Sequence, residues 1–319
     1  MYIYTAKIQK ELMITTIFSK SKPINFLIVF CVLLASLLIL EFKYAHSLSV
    51  NYGLGTKISM FLIVFFSVLL LHFIVVKNGL SQQSNIELLV FALFVLAVPQ
   101  TFISYKIIVS NMFILMALRR MISIRSKKEI IKKLFDSGFL IGLASVFYFW
   151  SILFFPLIII SLLFFSESKA KYYFIPVLGL ATLVVILTAV SVIFYGDIFS
   201  IFPQKIAFSF NYTAYNSFQL IGAITILLSF GLWSSVFYLT TIKKKMRSYR
   251  PSYKIMFVAC MFATAIAIIT PNKNGSEMIF LFAPLSVIIM NYIETITDNW
   301  FKNSFLALLI IAPIVLLVL

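Results

Sequence analysis

Apolar runs of about 20 residues recur along almost the whole chain, separated by short polar or basic loops. A helix of that length crosses the hydrocarbon core of a bilayer, at 1.5 Å per residue over about 30 Å. The clear runs are 24–42, 58–76, 173–195, 217–241, 253–270, 277–293 and 303–319. Of the 319 residues, 62% are hydrophobic and 11% charged. A soluble domain carries about 25% charged residues, and one soluble core could not enclose this much apolar surface. The fold expected is all-α, a polytopic transmembrane helical bundle of about eleven helices.

The first run, from Ile24, is too long for a signal-peptide core and lacks a small-residue cleavage site after it, so it reads as a retained first span. This divides the chain into a cytoplasmic segment, 1–23, and a single transmembrane domain, 24–319. Two further runs are short. Residues 85–98 end at Pro99, and 103–118 carry Lys106 and Asn111. Together they predict a tight hairpin turning near Pro99-Gln100.

The stretch 138–165 would be about 42 Å long as one helix, too long for one straight span and too short for two full ones. Charge parity decides its path. The loops 119–136 and 242–254 are both strongly basic, and basic loops stay in the cytoplasm. Two crossings, 173–195 and 217–241, lie between them, so 138–165 must cross an even number of times. It reads as a hairpin of two short helices turning near Tyr148-Phe149-Trp150, each half shorter than the bilayer. In the resulting topology the N-terminus is cytoplasmic and the C-terminus outside. Of the 26 lysines and arginines, only Lys43, Lys57, Lys106, Lys205 and Lys273 then fall on the outer side.

The formal net charge of +16 raises nucleic acid as a partner, but the distribution argues against it. The basic residues sit in short blocks beside apolar runs, as topology signals on anionic lipid do. The partners expected are membrane lipids, with anionic lipid at the cytoplasmic leaflet, and no nucleic acid. In KKEIIKKLFD, 127–136, Ile130, Ile131, Leu134 and Phe135 share a helical face with lysines mostly opposite, which predicts a helix lying flat on that leaflet. Cys31 and Cys260 lie inside apolar runs and read as inert small hydrophobes.

Three blocks carry a resemblance: FSKSKPINF at 18–26, ALRRMISIRSKKEIIKKLFDSGFLIGLASVFYF at 117–149 and PNKNGSEMIFLFAPLSVIIMNYIE at 271–294. They resemble a multi-pass inner-membrane family of flavobacteria and relatives, to which no activity is attached. The resemblance runs from Met13 onward, and it implies that residues 1–12 lie upstream of the usual start. It also implies the bacterial inner membrane as location. A looser likeness concerns DSGFLIGLASVFYFWSILFFPLIII. This looks like the glycine-rich helix, turn and proline-bearing helix of polytopic glycosyltransferases that use lipid-linked sugars. Those enzymes carry acids just after the first span, more often a pair. Here Glu41 stands alone in LILEFKYAHS.

Motifs of familiar soluble enzymes are absent: no Walker-type loop, CxxC, HExxH or GxSxG. With His46 and His72 the only histidines, a metal site or a triad is not expected, nor is a cofactor. Chemistry would fall to carboxylates, lysines and amides. In the expected topology Glu41, Lys106, Asp197, Lys273 and Glu277 gather toward the outer face. A sugar-transfer site needs a carboxylate to take the acceptor's proton and cations to hold a departing lipid phosphate. Glu41 is the candidate base, with Glu277 its substitute or the group that orients Lys273. Lys106 and Lys273 are candidates for the phosphate of a polyprenyl-phosphate sugar. Asn216 and Gln219, which open the span 217–241, are further substrate-binding candidates.

Plainer readings stand beside each. Lys106 snorkels from a helix end, Glu41 pairs with Lys43 at the interface, and Asp197 caps a turn. PNKNGSE is a polar hairpin loop, Asn216 and Gln219 are interhelical glue, and His72 is simply packed. The aromatic run Phe208, Phe210, Tyr212, Tyr215 and Phe218 is an interfacial belt or a platform for a sugar ring or polyprenyl chain. The functional expectation is a membrane glycosyltransferase or polymerase-like enzyme acting on a polyprenyl-linked sugar at the periplasmic face. The alternatives are a non-catalytic scaffold subunit of an envelope assembly and, third, a transporter.

Overall fold

The computed structural model describes residue 18 and residues 22–44, 52–82, 84–166, 169–198, 207–271 and 273–318. His46, Lys205, Ser168 and almost all of the 1–23 segment lie outside the described residues. Within them are eleven α-helices and no strand. They are α1 (Pro23–Tyr44), α2 (Leu54–Asn78), α3 (Ile86–Ala97), α4 (Tyr105–Ile122), α5 (Ile130–Phe147) and α6 (Phe155–Phe164). The rest are α7 (Ala170–Tyr195), α8 (Phe218–Lys244), α9 (Arg250–Ile269), α10 (Ile279–Thr295) and α11 (Asn299–Val318). Eight helical segments are long and apolar enough to cross a membrane, and Ile86–Ala97 and Phe149–Phe164 are shorter apolar ones.

A helix that is apolar on all sides must be surrounded by protein or by lipid, and both cases occur. Every residue of α3 is buried, as is α10 from Ile279 through Ile293. These two form the centre, packed on each other through Phe91, Phe94 and Phe282. In contrast, α7 is mostly exposed, with Phe174, Val185, Ile193 and Phe194 all turned outward. The exposed Val, Ile and Phe side chains of α7 are what a lipid-facing helix presents.

Both interrupted stretches break at the expected places. At 12 residues α3 spans about 18 Å, well short of a bilayer. It ends at Ala97, two residues before Pro99, and a 3₁₀ turn over Pro99–Ile103 leads into α4. Similarly, α5 ends at Phe147, Tyr148 is extended, and a 3₁₀ segment Phe149–Phe154 leads into the proline-bearing α6. The freed backbone groups are satisfied locally. Val98 N–H donates to Phe94 O and Thr101 N–H to Val98 O, while Tyr148 N–H donates to Ala144 O and Ser151 N–H to Tyr148 O. Broken backbone is tolerated at membrane depth only under such conditions.

Two expectations change. The first limb of the second hairpin begins at Ile130, not at 138, so it is 18 residues long, or about 27 Å, and nearly spans the bilayer by itself. The segment 127–136 is therefore not a separate surface helix; its residues from Ile130 continue unbroken into α5. The physical reason is a partner for both faces. On one side Ser110 Oγ of α4 donates to Ala144 O at 2.9 Å. On the other, α7 crosses at backbone contact: a Cβ on Gly138 would lie 2.1 Å from Pro176 O, and one on Gly179 would lie 2.4 Å from Phe135 O. Lys133 turns inward, with Nζ donating to Ser123 O and Ser126 Oγ, both at 2.6 Å.

This crossing holds the otherwise lipid-exposed α7, and only small residues permit it. Gly179→Ala forces the helices apart and should cost about 1–3 kcal/mol of stability, the range for overpacking. Gly55→Ala, at a site with nothing within 4 Å, should change stability by no more than about 0.5 kcal/mol. Thermal unfolding in detergent checks the contrast.

Candidate functional site

α9 runs from the basic loop at 242–254 to Ile269, so the loop 270–278 lies at the opposite end of the bundle. Four irregular segments meet there: the turn 99–103, the break at 148–154, the stretch 207–217 and the loop 270–278 itself. Ser209 N–H donates to Ile269 O at 3.2 Å, and Trp150 meets Phe208 with ring centres 4.9 Å apart. The loop's course follows from its residues. Gly275 takes φ 91°, and a Cβ there would sit 2.9 Å from Leu220 Cδ2. Asn274 Oδ1 accepts from Ser276 N–H at 3.0 Å, and a 3₁₀ turn then opens α10.

Glu277 sits in that opening turn, fully buried. Its carboxylate accepts from Gly275 N–H at 3.2 Å and from Asn274 N–H at 3.4 Å, and the helix N-terminus adds favourable partial positive charge. The Tyr215 hydroxyl donates to it in a short hydrogen bond. Burial and the adjacent carboxylate push the Tyr215 hydroxyl far above the ordinary tyrosine range, so it stays a donor. Tyr148, at the break after α5, faces Thr270 and the same carboxylate. Lys273 Nζ donates to Ser209 O and Thr270 O, both at 2.6 Å, and lies 4.8 Å from the centre of the Tyr212 ring. Burial lowers the pKa of its ammonium, and the charge of Glu277 acts in the opposite direction.

The structure brings Lys273, Glu277 and Gln219 into this cluster and leaves the other candidates outside its bonding. Glu41, on the last turn of α1, pairs with Lys57 at 2.5 Å rather than with Lys43, whose Nζ donates to Leu317 O at 2.9 Å. Lys106 is exposed on the first turn of α4, and Asn216 is exposed beside Tyr215. Gln219 Oε1 accepts from Gln100 Nε2 at 3.2 Å, joining α8 to the turn after α3. Gln100 Oε1 and Gln219 Nε2 are buried without partners.

Several participants escaped the sequence reading. In the sequence Tyr215 reads as one ring of an aromatic belt or platform, and its spacing before the span marks it no differently from its neighbours. Gln100 sat in a turn read only for its proline. Glu87 opens the apolar run NIELLVF, and an acid beside a fully apolar helix is a signal that could have been taken. It is completely buried, with Oε1 2.8 Å from His72 Nδ1. Glu294 anchors the loop after α2 by accepting from Ser81 Oγ at 2.6 Å, Ser84 Oγ at 2.5 Å and Gln82 N–H at 3.0 Å. Among the described residues no three His, Cys, Asp or Glu side chains group as metal ligands. A recess of about 370 Å³, lined by Phe237, Tyr292, Thr295, Trp300 and Phe301 among others, lies toward the basic end and holds none of the candidate residues.

A family of unknown function (DUF6427) matches residues 13–318, and the chain belongs to that family. No curated protein and no solved structure matches it.

The bond between Tyr215 and Glu277 makes a stability prediction. Tyr215→Phe leaves a buried carboxylate short of one donor and should cost about 1–3 kcal/mol. Adding Glu277→Leu removes the orphaned charge, so the double variant should be less destabilised than the sum of the single ones. Melting temperatures of the four proteins in one detergent provide the cycle.

Proposed function

We propose that this member of the family of unknown function is a non-catalytic subunit of an envelope assembly in the bacterial inner membrane, with its N-terminus in the cytoplasm. The observation that carries this reading is the internal compensation of three of the four charged candidates, Lys106 alone being exposed at its helix start. Glu41 is taken by Lys57, Glu277 by Tyr215 and two backbone N–H groups, and Lys273 by two carbonyls. A general base needs a lone pair facing the acceptor hydroxyl, and a phosphate-holding lysine needs N–H donors pointing outward. Here those groups tie loops together. The exposed rings of Phe208, Phe210, Tyr212 and Phe218 supply an outer rim on which a partner can rest.

One observation favours a second reading, an enzyme acting on a polyprenyl-linked sugar. Two helix breaks converge on the polar cluster, the arrangement in which membrane proteins place ligand sites. In that reading Glu277 is the base in place of Glu41. Lys273 and Lys106 hold the phosphate, and Asn216 and Gln219 bond the sugar hydroxyls.

Complementation separates the two readings. In a deletion strain scored by its envelope phenotype and its lipid-linked sugar profile, Glu41→Gln and Glu277→Gln at wild-type membrane levels should restore the parental state. A loss of about 10²–10⁴-fold in a transfer rate with either variant is the signature of a missing general base, and would establish the enzyme reading.

A further inference from the structure

At the basic end, two cations share one aromatic ring. Lys77, in the last turn of α2, has Nζ 5.1 Å from the centre of the Phe73 ring, and Arg119, in the last turn of α4, has Cζ 4.6 Å from it. Phe73 is 40% exposed and its neighbour Val76 62%, so this corner presents apolar surface outward, where the bilayer lies. Neither cation has an ion-pair or hydrogen-bond partner among the described residues. Asp136, the carboxylate that could serve, is occupied by Arg120 at 3.0 Å. Lys133, close enough to Lys77 to repel it, already donates to Ser123 O and Ser126 Oγ.

Each cation alone has an ordinary explanation. A helix C-terminus favours positive charge, and basic residues mark the cytoplasmic boundary. Together they need more, because like charges on one ring repel and their N–H donors are unspent. An ammonium beside a guanidinium offers several donors for the oxygens of a phosphate. At the depth where apolar side chains give way to basic loops, the phosphate plane of the leaflet is at hand.

We propose that Lys77, Arg119 and Phe73 form a headgroup site for the phosphate of an anionic phospholipid in the leaflet that meets the basic loops. The phosphate accepts from both cations, and an acyl chain runs along Phe73 and Val76 on the outer side of α2. The site is independent of the functional reading above.

The test is native mass spectrometry on the full chain in detergent, titrated with dioleoyl-phosphatidylglycerol, with inorganic phosphate as a separate arm. Lys77→Gln/Arg119→Gln should weaken phosphatidylglycerol binding about tenfold or more, as loss of charge-assisted contacts does. Lys243→Gln/Lys244→Gln removes the same charge from exposed side chains at the same end, and should change binding by about twofold at most. Should the double variant fail to fold, Lys77→Gln alone, on an exposed side chain, should still weaken binding measurably. Equal losses in the two double variants would show diffuse attraction and overturn the site, as would no loss from Lys77→Gln. Displacement of the lipid by inorganic phosphate at matched concentration would make the ligand a soluble anion and overturn the lipid assignment.

Discussion

In hydrocarbon no water is available to satisfy a free backbone group or a bare charge, so each must find its partner within the chain. That requirement governs the two places where helices break in this bundle. The turn after α3 and the break after α5 return their N–H groups to carbonyls a few residues back. They also lie against protein, packed beside the loop 270–278 and the 207–217 stretch. The same requirement explains the buried acids. Glu277 is held by the Tyr215 hydroxyl and by N–H groups of its own loop, and Glu87 by His72, while the half-buried Glu294 accepts from Ser81, Gln82 and Ser84 of the loop after α2. Each acid thereby joins parts of the chain that sequence separates.

Packing supplies the rest of the order. Since lipid tails are as apolar as leucine, helices in a bilayer associate through close contact and polar bonds. The crossing of α5 and α7 at Gly138, Gly142 and Gly179 is of the first kind, and the Gln100–Gln219 and Trp233–Tyr292 bonds are of the second. The glycine contact also explains why α5 starts at Ile130. Phe135 O lies where a Gly179 side chain would be, so α7 packs alongside the basic amphipathic turn and draws it into the helix.

Most of the architecture was legible in the sequence. Apolar run length gave the spans, Pro99 gave the break after α3, and the even number of crossings required of 138–165 called for the second break, which falls at Tyr148. The start of α5 was not legible because amphipathicity alone cannot distinguish a surface helix from one that has a partner on each side. The candidate site was half legible. Lys273 and Glu277 stand out in the sequence as ionisable groups toward the outer face, and they lie on one loop, beside which Gln219 bonds Gln100. Glu41 was placed by analogy with an acid after the first span. Its actual partner, Lys57, comes from the next helix, and pairing between helices depends on their packing and not on local spacing. Tyr215, Tyr148 and Gln100 share that difficulty: nothing in their sequence neighbourhoods singles them out until the fold brings the two tyrosines beside Glu277 and Gln100 beside Gly275 and Gln219.

The central feature of the bundle is the broken hairpin of α5 and α6, whose two ends both lie beside the basic segments, Asp136 against Arg120 and Phe164 against Lys254. Cysteine accessibility tests this directly. With Cys31 and Cys260 replaced, single cysteines at Lys128 and Lys169 flank the hairpin. Both should resist a membrane-impermeant maleimide in intact cells and react with it in inverted membrane vesicles. Reaction of one from each side of the membrane would mean that 130–165 crosses once, and would contradict the account.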